Sequence, residues 1–216
     1  MGARQEILRS IRQSLAAGEP RTRQRIDELR ARLSATSPKV QPQFDDDLLA
    51  RFCQKHVNVH GTYERIRRNE IEAAVLRHLK GLEIDPQLHV GSGPILQTVK
   101  WSEHVFTYSK GADKNTRVAL SEAFAAVAET GTLMMCSGPH SPPSHNFLPD
   151  DHIVLVHQER IVRCQEDVWP MVRQLQGFPP RAINFITGPS KTGDIEQTIQ
   201  YGAHGPRRLH ILIVEE

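Results

Sequence analysis

Short apolar runs that read as strands alternate with helical patterns along most of this chain, and that order admits few folds. Near the end, Ala182 to Ile186 reads as a strand, Thr192 to Gln200 as a helix and Leu209 to Val214 as a last, almost wholly apolar strand. Upstream, Leu88 to Val90, Val105 to Tyr108 and Val118 to Leu120 are further short strands, and an alanine-rich stretch to Ala128 precedes Leu133-Met134-Met135. Val57-Asn58-Val59 reads as a short strand, followed by a helix over Ile66 to Leu79 that Gly81 stops, with Ile71, Val75 and Leu79 on one face. Ile153 to Val156 and Arg160 to Val162, a few polar residues apart, suggest a hairpin. Gln165 to Gln176 suits a helix whose Pro170 lies in the first turn or kinks it. The expected class is α/β: a mainly parallel sheet flanked by helices.

The first fifth is organised differently. Ile7, Leu8, Ile11 and Leu15 fall at helical spacing with Arg4, Arg9 and Arg12 between them, and a second short helical pattern after Pro20 interleaves Arg21, Arg23, Arg25, Arg30 and Arg32 with Ile26, Leu29 and Leu33. Ser34 to Gln43, with Ser37-Pro38 and Gln41-Pro42, reads as a linker. The expectation is therefore an N-terminal helical arm and linker over residues 1–43 and one α/β domain over 44–216. Asp45-Asp46-Asp47 then precede Leu48, Leu49 and Phe52, placing acidic residues at the positive end of a helix.

Several classes of protein are set aside by composition. No apolar run approaches the roughly 20 residues needed to span a bilayer. The N-terminus lacks a signal peptide's apolar segment, and Glu6 stands where N-myristoylation calls for Ser or Thr, so the chain reads as cytoplasmic. Net charge is only +2, which makes no global case for nucleic acid. The arginine-rich second helix can serve as a basic contact surface, or as a solvated face whose apolar stripe packs on its own domain or on a second copy in a homo-oligomer. Cys53, Cys136 and Cys164 are three in number, widely separated and without a Cys-x-x-Cys pair, which argues against a disulfide framework, a structural zinc site or an iron–sulfur cluster held by this chain alone. His140, His145, His152 and His157 share a region with Asp150 and Asp151, but their spacing fits no recognised ligand pattern, so no metal is expected. Pro139, Pro142 and Pro143 make Gly138 to Pro149 a long loop suited to covering a site.

Three polar, turn-forming clusters carry the chemistry: Glu129-Thr130-Gly131-Thr132; Gly188-Pro189-Ser190-Lys191-Thr192-Gly193-Asp194-Ile195-Glu196; and Gly202-Ala203-His204-Gly205-Pro206. Gly188-Pro189-Ser190 follows a strand and precedes the expected helix, so backbone N–H groups at the sheet's carboxyl edge, with the Ser190 and Thr192 hydroxyls, form an anion site in one reading. In the other, Ser190 or Thr192 caps the helix while Asp194 and Glu196 complement its dipole. His204 is either a general acid/base or a hydrogen-bonded structural residue. Glu129 is either a base or nucleophile, or a carboxylate bonded to backbone N–H groups of a neighbouring loop.

The order and spacing of Glu129-Thr130-Gly131-Thr132, Gly188-Pro189-Ser190-x-Thr192-x-Asp194-Ile195-Glu196 and Gly202-x-His204-Gly205-Pro206 resemble the signature of the LUD domain (lactate utilization) family, and within it the lactate utilization protein C type. The resemblance implies a core similar to the NagB/RpiA/CoA-transferase-like group of α/β folds. It also implies a cytoplasmic component of a system that oxidises L-lactate to pyruvate, with no cofactor on this chain and iron–sulfur clusters on partner subunits. The chain would then bind a small anionic substrate or hold the assembly together. Glu129 and His204 become the candidate catalytic residues, and Thr130, Gly131, Thr132, Gly188, Pro189, Ser190, Thr192, Asp194 and Gly205 the candidate substrate-binding ones. A different reading is a stand-alone enzyme of the CoA-transferase or sugar-phosphate type with Glu129 as nucleophile.

Overall fold

The structure is a computed structural model that describes residues 2–16, 22–34, 42–44, 47–91, 93–138, 141–175, 179–193 and 198–215. Chain contacts divide it into Met1–Val40 and Gln41–Glu216. The first unit holds helices α1 (Ala3–Ala16) and α2 (Arg23–Ser34). The Thr22 hydroxyl accepts the Arg25 N–H at 3.2 Å at the start of α2, and Arg25–Glu28 and Arg30–Asp27 form ion pairs three residues apart. Such exposed pairs add only a few tenths of a kcal/mol each. Most of the expected linker lies outside the described residues.

The second unit is built on a six-stranded sheet. Its strands are β1 (Thr62–Arg67), β2 (Gln87–Val90), β3 (Phe106–Tyr108), β4 (Val118–Glu122), β7 (Asp151–His157) and β12 (Arg208–Glu215), in the order β1-β12-β7-β4-β2-β3. Every neighbouring pair is parallel. The apolar run in β12 shows why this sheet must be covered on both sides. Leu212 and Val214 pack on one face with Ile71, Val75 and Leu79 of helix α4 (Ile71–Gly81). Leu209, Ile211 and Ile213 pack on the other with Phe52 and Cys53 of helix α3 (Leu48–Asn58). Each fully buried aliphatic side chain contributes about 2 kcal/mol of transfer free energy, so the strand is held by both layers.

A smaller, four-stranded sheet closes the α3 side, in the order β8-β5-β6-β9: β5 (Ala125–Val127), β6 (Thr132–Cys136), β8 (Ile161–Val162) and β9 (Ile183–Ile186). Alternation along β6 divides its side chains between two layers. Leu133 and Met135 join the core shared with β7 and β12, while Met134 faces Val168 and Val172 of helix α5 (Val168–Arg173). Strands β10 (Lys191–Thr192) and β11 (Gln200–Tyr201) form an antiparallel pair of their own. Among the described residues no helix is long and apolar enough to cross a membrane.

The architecture is the mainly parallel α/β sheet with flanking helices that the alternation implies, and the N-terminal helices are present. Four local expectations are corrected. Val57 and Asn58 end α3 instead of starting a strand, because Asp47 caps that helix by accepting the Leu49 N–H at 2.9 Å and the helix then runs on from Leu48. Ile66 is a buried β1 residue, and the helix expected from it begins at Ile71. β7 and β8 do not form a hairpin, since β7 is paired on both sides by β12 and β4 while β8 belongs to the other sheet. Thr192 and Gln200, expected to bound a helix, face one another across the β10–β11 pair.

Candidate functional site

All three motif clusters converge at one place, the amino-terminal edge of the large sheet beside the end of α3. Gly131 turns the chain between β5 and β6 at φ +70°, and a Cβ there would lie 2.6 Å from the His56 amide nitrogen. Gly188, at φ +75°, follows β9 and leaves room for Val59, whose Cγ2 would lie 2.7 Å from a Cβ. Both glycines therefore admit the last turn of α3 while adopting a backbone conformation that other residues resist.

The first two clusters are joined by a row of hydroxyls. Thr130 Oγ1 lies 2.6 Å from Thr132 Oγ1, which lies 2.7 Å from Thr187 Oγ1. Thr132 is buried, whereas Thr130 and Thr187 at the two ends are exposed. Three hydroxyls sharing two hydrogen bonds leave one O–H over, so the row can donate to an acceptor at either open end.

The second and third clusters are joined through Ser190. Its N–H donates to the Pro206 carbonyl at 2.8 Å, its carbonyl accepts from Gly202 N–H at 3.0 Å, and its Oγ accepts the His204 N–H at 3.4 Å. Gly205 packs beside Ser190, where a Cβ on it would lie in van der Waals contact with Ser190 Cβ at 3.4 Å. These bonds correct the expected geometry: the Ser190 amide is committed to Pro206, Thr192 enters a strand, and neither a helix N-terminus nor a helix cap is formed at 188–192. The loop also sits at the amino edge of the large sheet, since Arg207 and Arg208 N–H groups donate to Asp150 just ahead of β7. Arg208 grips buried Asp151 with both guanidinium arms, one of them at 2.9 Å.

The side chains suggested for chemistry stand around this junction. Glu129 is half-buried in the β5–β6 turn and its own N–H donates to Arg163 O at 3.0 Å. His204 is exposed on the loop before β12, and the His60 ring meets Tyr201 edge-on at 5.9 Å. Pro189 and Gly205 shape the loop, and Asp194 lies outside the described residues.

Beneath the junction lie histidines of another kind. His56 is fully buried and its Nε2 donates to Thr62 O at 3.2 Å. His210 hydrogen-bonds Thr62 Oγ1 through Nδ1 at 2.8 Å and stacks on His78 at 3.9 Å. Burial pushes His56 down to about 4 and His210 down to about 3, so both are neutral.

The opposite, carboxyl-terminal edge of the large sheet holds a cavity of about 560 Å³. Glu122, the last residue of β4, lines it; its Oε2 accepts the N–H groups of Ile95 at 2.9 Å and Leu96 at 3.2 Å. Gly93 makes that possible, because a Cβ on it would lie 2.1 Å from Oε2. Burial raises the Glu122 carboxyl above the usual range, against the pull of the two backbone donors.

The sequence profile of the LUD domain family matches residues 48–214. The chain belongs to the LUD domain family. Two relatives named Lactate utilization protein C, from Shouchella clausii and Geobacillus thermodenitrificans, are 25% and 26% identical over 82% and 86% of this chain and 86% and 90% of their own. An uncharacterized Neisseria meningitidis protein, NMB1437, is 30% identical over 55% of this chain, an alignment that spans about half of that relative. A crystal structure of a DUF162 family protein from Deinococcus radiodurans has the same fold, with a TM-score of 0.57, 18% identity, and coverage of 81% of this chain and all of that one.

Within this LUD domain, reading the sequence locates the junction but misses Glu122 and the cavity. The signals available for them are an acidic residue closing an apolar strand and the Gly91-to-Pro94 turn after β2. His140 lies outside the described residues, and the other three histidines of that region do not gather: His145 Nε2 donates to Lys110 O, His152 bonds Ser121 Oγ inside the sheet, and His157 ends β7. Among the described residues no three His, Cys, Asp or Glu side chains are grouped to hold a metal ion.

Proposed function

We propose that this LUD-domain protein is a cytoplasmic component of a lactate utilization system, supporting oxidation of L-lactate to pyruvate in company with iron–sulfur subunits. The observation that carries the reading is the alignment with relatives named Lactate utilization protein C along more than four-fifths of both chains. Its share of the work is to hold a small carboxylate at the junction, where the Thr130–Thr132–Thr187 row has one O–H to give and Ser190, three residues on from Thr187, accepts the His204 N–H.

Thiol placement supports locating the electron carriers on partners. Cys53 lies in α3, Cys136 at the end of β6 and Cys164 ahead of α5. Burial raises Cys136 to about 11, and burial with the Asp167 carboxylate raises Cys164 to about 11, so both hold their protons at neutral pH.

The test is a pull-down of the tagged full chain from its source cells grown on L-lactate, with bound proteins identified by mass spectrometry. Recovery of iron–sulfur oxidoreductase subunits is expected. Recovery of the chain alone, from cells in which those subunits are abundant, would overturn the reading.

A further inference from the structure

The cavity at the carboxyl edge is built for a ligand that the junction does not account for. In parallel α/β sheets, ligands seat outside the carboxyl ends of the strands, and this cavity lies at the ends of β2, β4 and β7. Glu122 uses Oε2 to hold the Ile95 and Leu96 amides, while Oε1 has no hydrogen-bond partner among the described residues. A half-buried carboxylate with one oxygen so placed asks its ligand for a hydrogen-bond donor.

The rest of the lining adds two further requirements. Arg160 lines the cavity with its guanidinium 5.7 Å from the centre of the Phe124 ring, and His157 lines it as well. The Glu159 N–H donates to His157 Nδ1, which puts the imidazole proton of the neutral ring on Nε2 as a second donor for an acid. Phe124, Ile95 and Leu175 supply apolar wall. The volume falls in the roughly 300–1,000 Å³ range of sites for drug-sized ligands, far more than a three-carbon acid fills.

We infer that this cavity is a second binding site, taking a hydroxylated carboxylic acid with an apolar body larger than lactate. Its hydroxyl donates to Glu122 Oε1, its carboxylate meets Arg160 and His157, and its apolar body lies on Phe124 and Leu175. The inference is independent of the lactate reading, because it uses none of the junction's residues.

The experiment is isothermal titration of the full chain with L-3-phenyllactate, 3-phenylpropionate and L-lactate. Phenyllactate is expected to bind with a Kd of about 1 mM or tighter, and 3-phenylpropionate, which lacks the hydroxyl, about tenfold more weakly. Glu122→Gln must spend its carbonyl oxygen on the two amides and so turns an NH₂ donor toward the hydroxyl; binding falls about tenfold or more. Arg160→Ala, at an exposed residue that leaves the fold intact, lowers binding by a similar factor and decides the matter should the Glu122 variant fail to fold. Absence of phenyllactate binding, or equal affinity for the two phenyl acids with no effect of Arg160→Ala, would overturn the inference. Loss of binding in His204→Ala with Arg160→Ala still binding would place the ligand at the junction and overturn it equally.

Discussion

Thr132 and Thr187 bring their hydroxyl oxygens to 2.7 Å although 55 positions separate them. The contact follows from the β6–β9 register, in which Leu133 faces Ile186 and the next pair out is Thr132 with Thr187. It welds two sequence motifs into one site, and its central hydroxyl is buried where nothing else replaces it. Thr132→Val is expected to cost about 1 kcal/mol, since the two exposed partners regain water. The same variant weakens carboxylate binding at the junction, whereas Thr132→Ser retains it. Chemical denaturation and lactate titration of the two variants check this, and equal binding by both would contradict it.

Gly131 and Gly188 are fixed by both backbone and space. Alanine at either position meets α3 or its capping Val59 at under 3.0 Å and is forced into a positive φ. Each substitution is expected to cost about 2 kcal/mol or more and to lower the thermal midpoint in calorimetry. Gly138→Ala, where a Cβ meets nothing within 4 Å, serves as the comparison and shifts the midpoint little.

Asp151 is 1% exposed, with Arg208 gripping it and Arg117 Nε at 3.5 Å. Arg208→Ala leaves that buried carboxylate with one distant partner and is expected to cost about 3–5 kcal/mol. Arg208→Lys restores charge but not the two-armed grip and falls between wild type and alanine. Urea unfolding of the three proteins gives the order directly.

Acid should destabilise this fold through its buried imidazoles. The folded values of His56, His152 and His210 lie at about 4, 3 and 3, well below the ordinary 6.5. Unfolded chains therefore take up protons first as pH falls. Stability from these groups is present above about pH 6.5 and is lost as pH falls from there toward about 4 for His56 and about 3 for His152 and His210, each contributing a slope of up to about 1.4 kcal/mol per pH unit. The urea midpoint measured from pH 7 to pH 4.5 should fall steeply; a flat profile would show that the three rings are not held neutral.

The α/β class and most of its strands were legible because burial on both faces writes itself into local sequence, as in Leu209 to Val214. Local pattern failed where partners decide. Residues 57–59 have the composition of a strand, yet Asp47 and the apolar face beginning at Leu48 commit them to the end of α3. Lys191–Thr192 and Gln200–Tyr201 pair across a loop, an outcome that helical spacing between them does not reveal. The motif order pointed to the junction residues, but their position at the amino edge depends on α3 and Pro206, far away in sequence. Glu122 was illegible for the same reason: its partners, Ile95 and Leu96, arrive only when β2 and β4 lie side by side.

Growth on L-lactate as sole carbon source tests the central claim most directly. Cells deleted for this chain should fail on L-lactate, grow normally on pyruvate, and recover on L-lactate with the wild-type chain but poorly with a Thr132→Val, His204→Ala double variant that accumulates normally. Undiminished growth of the deleted cells on L-lactate, with no second copy of the chain present, would contradict the account.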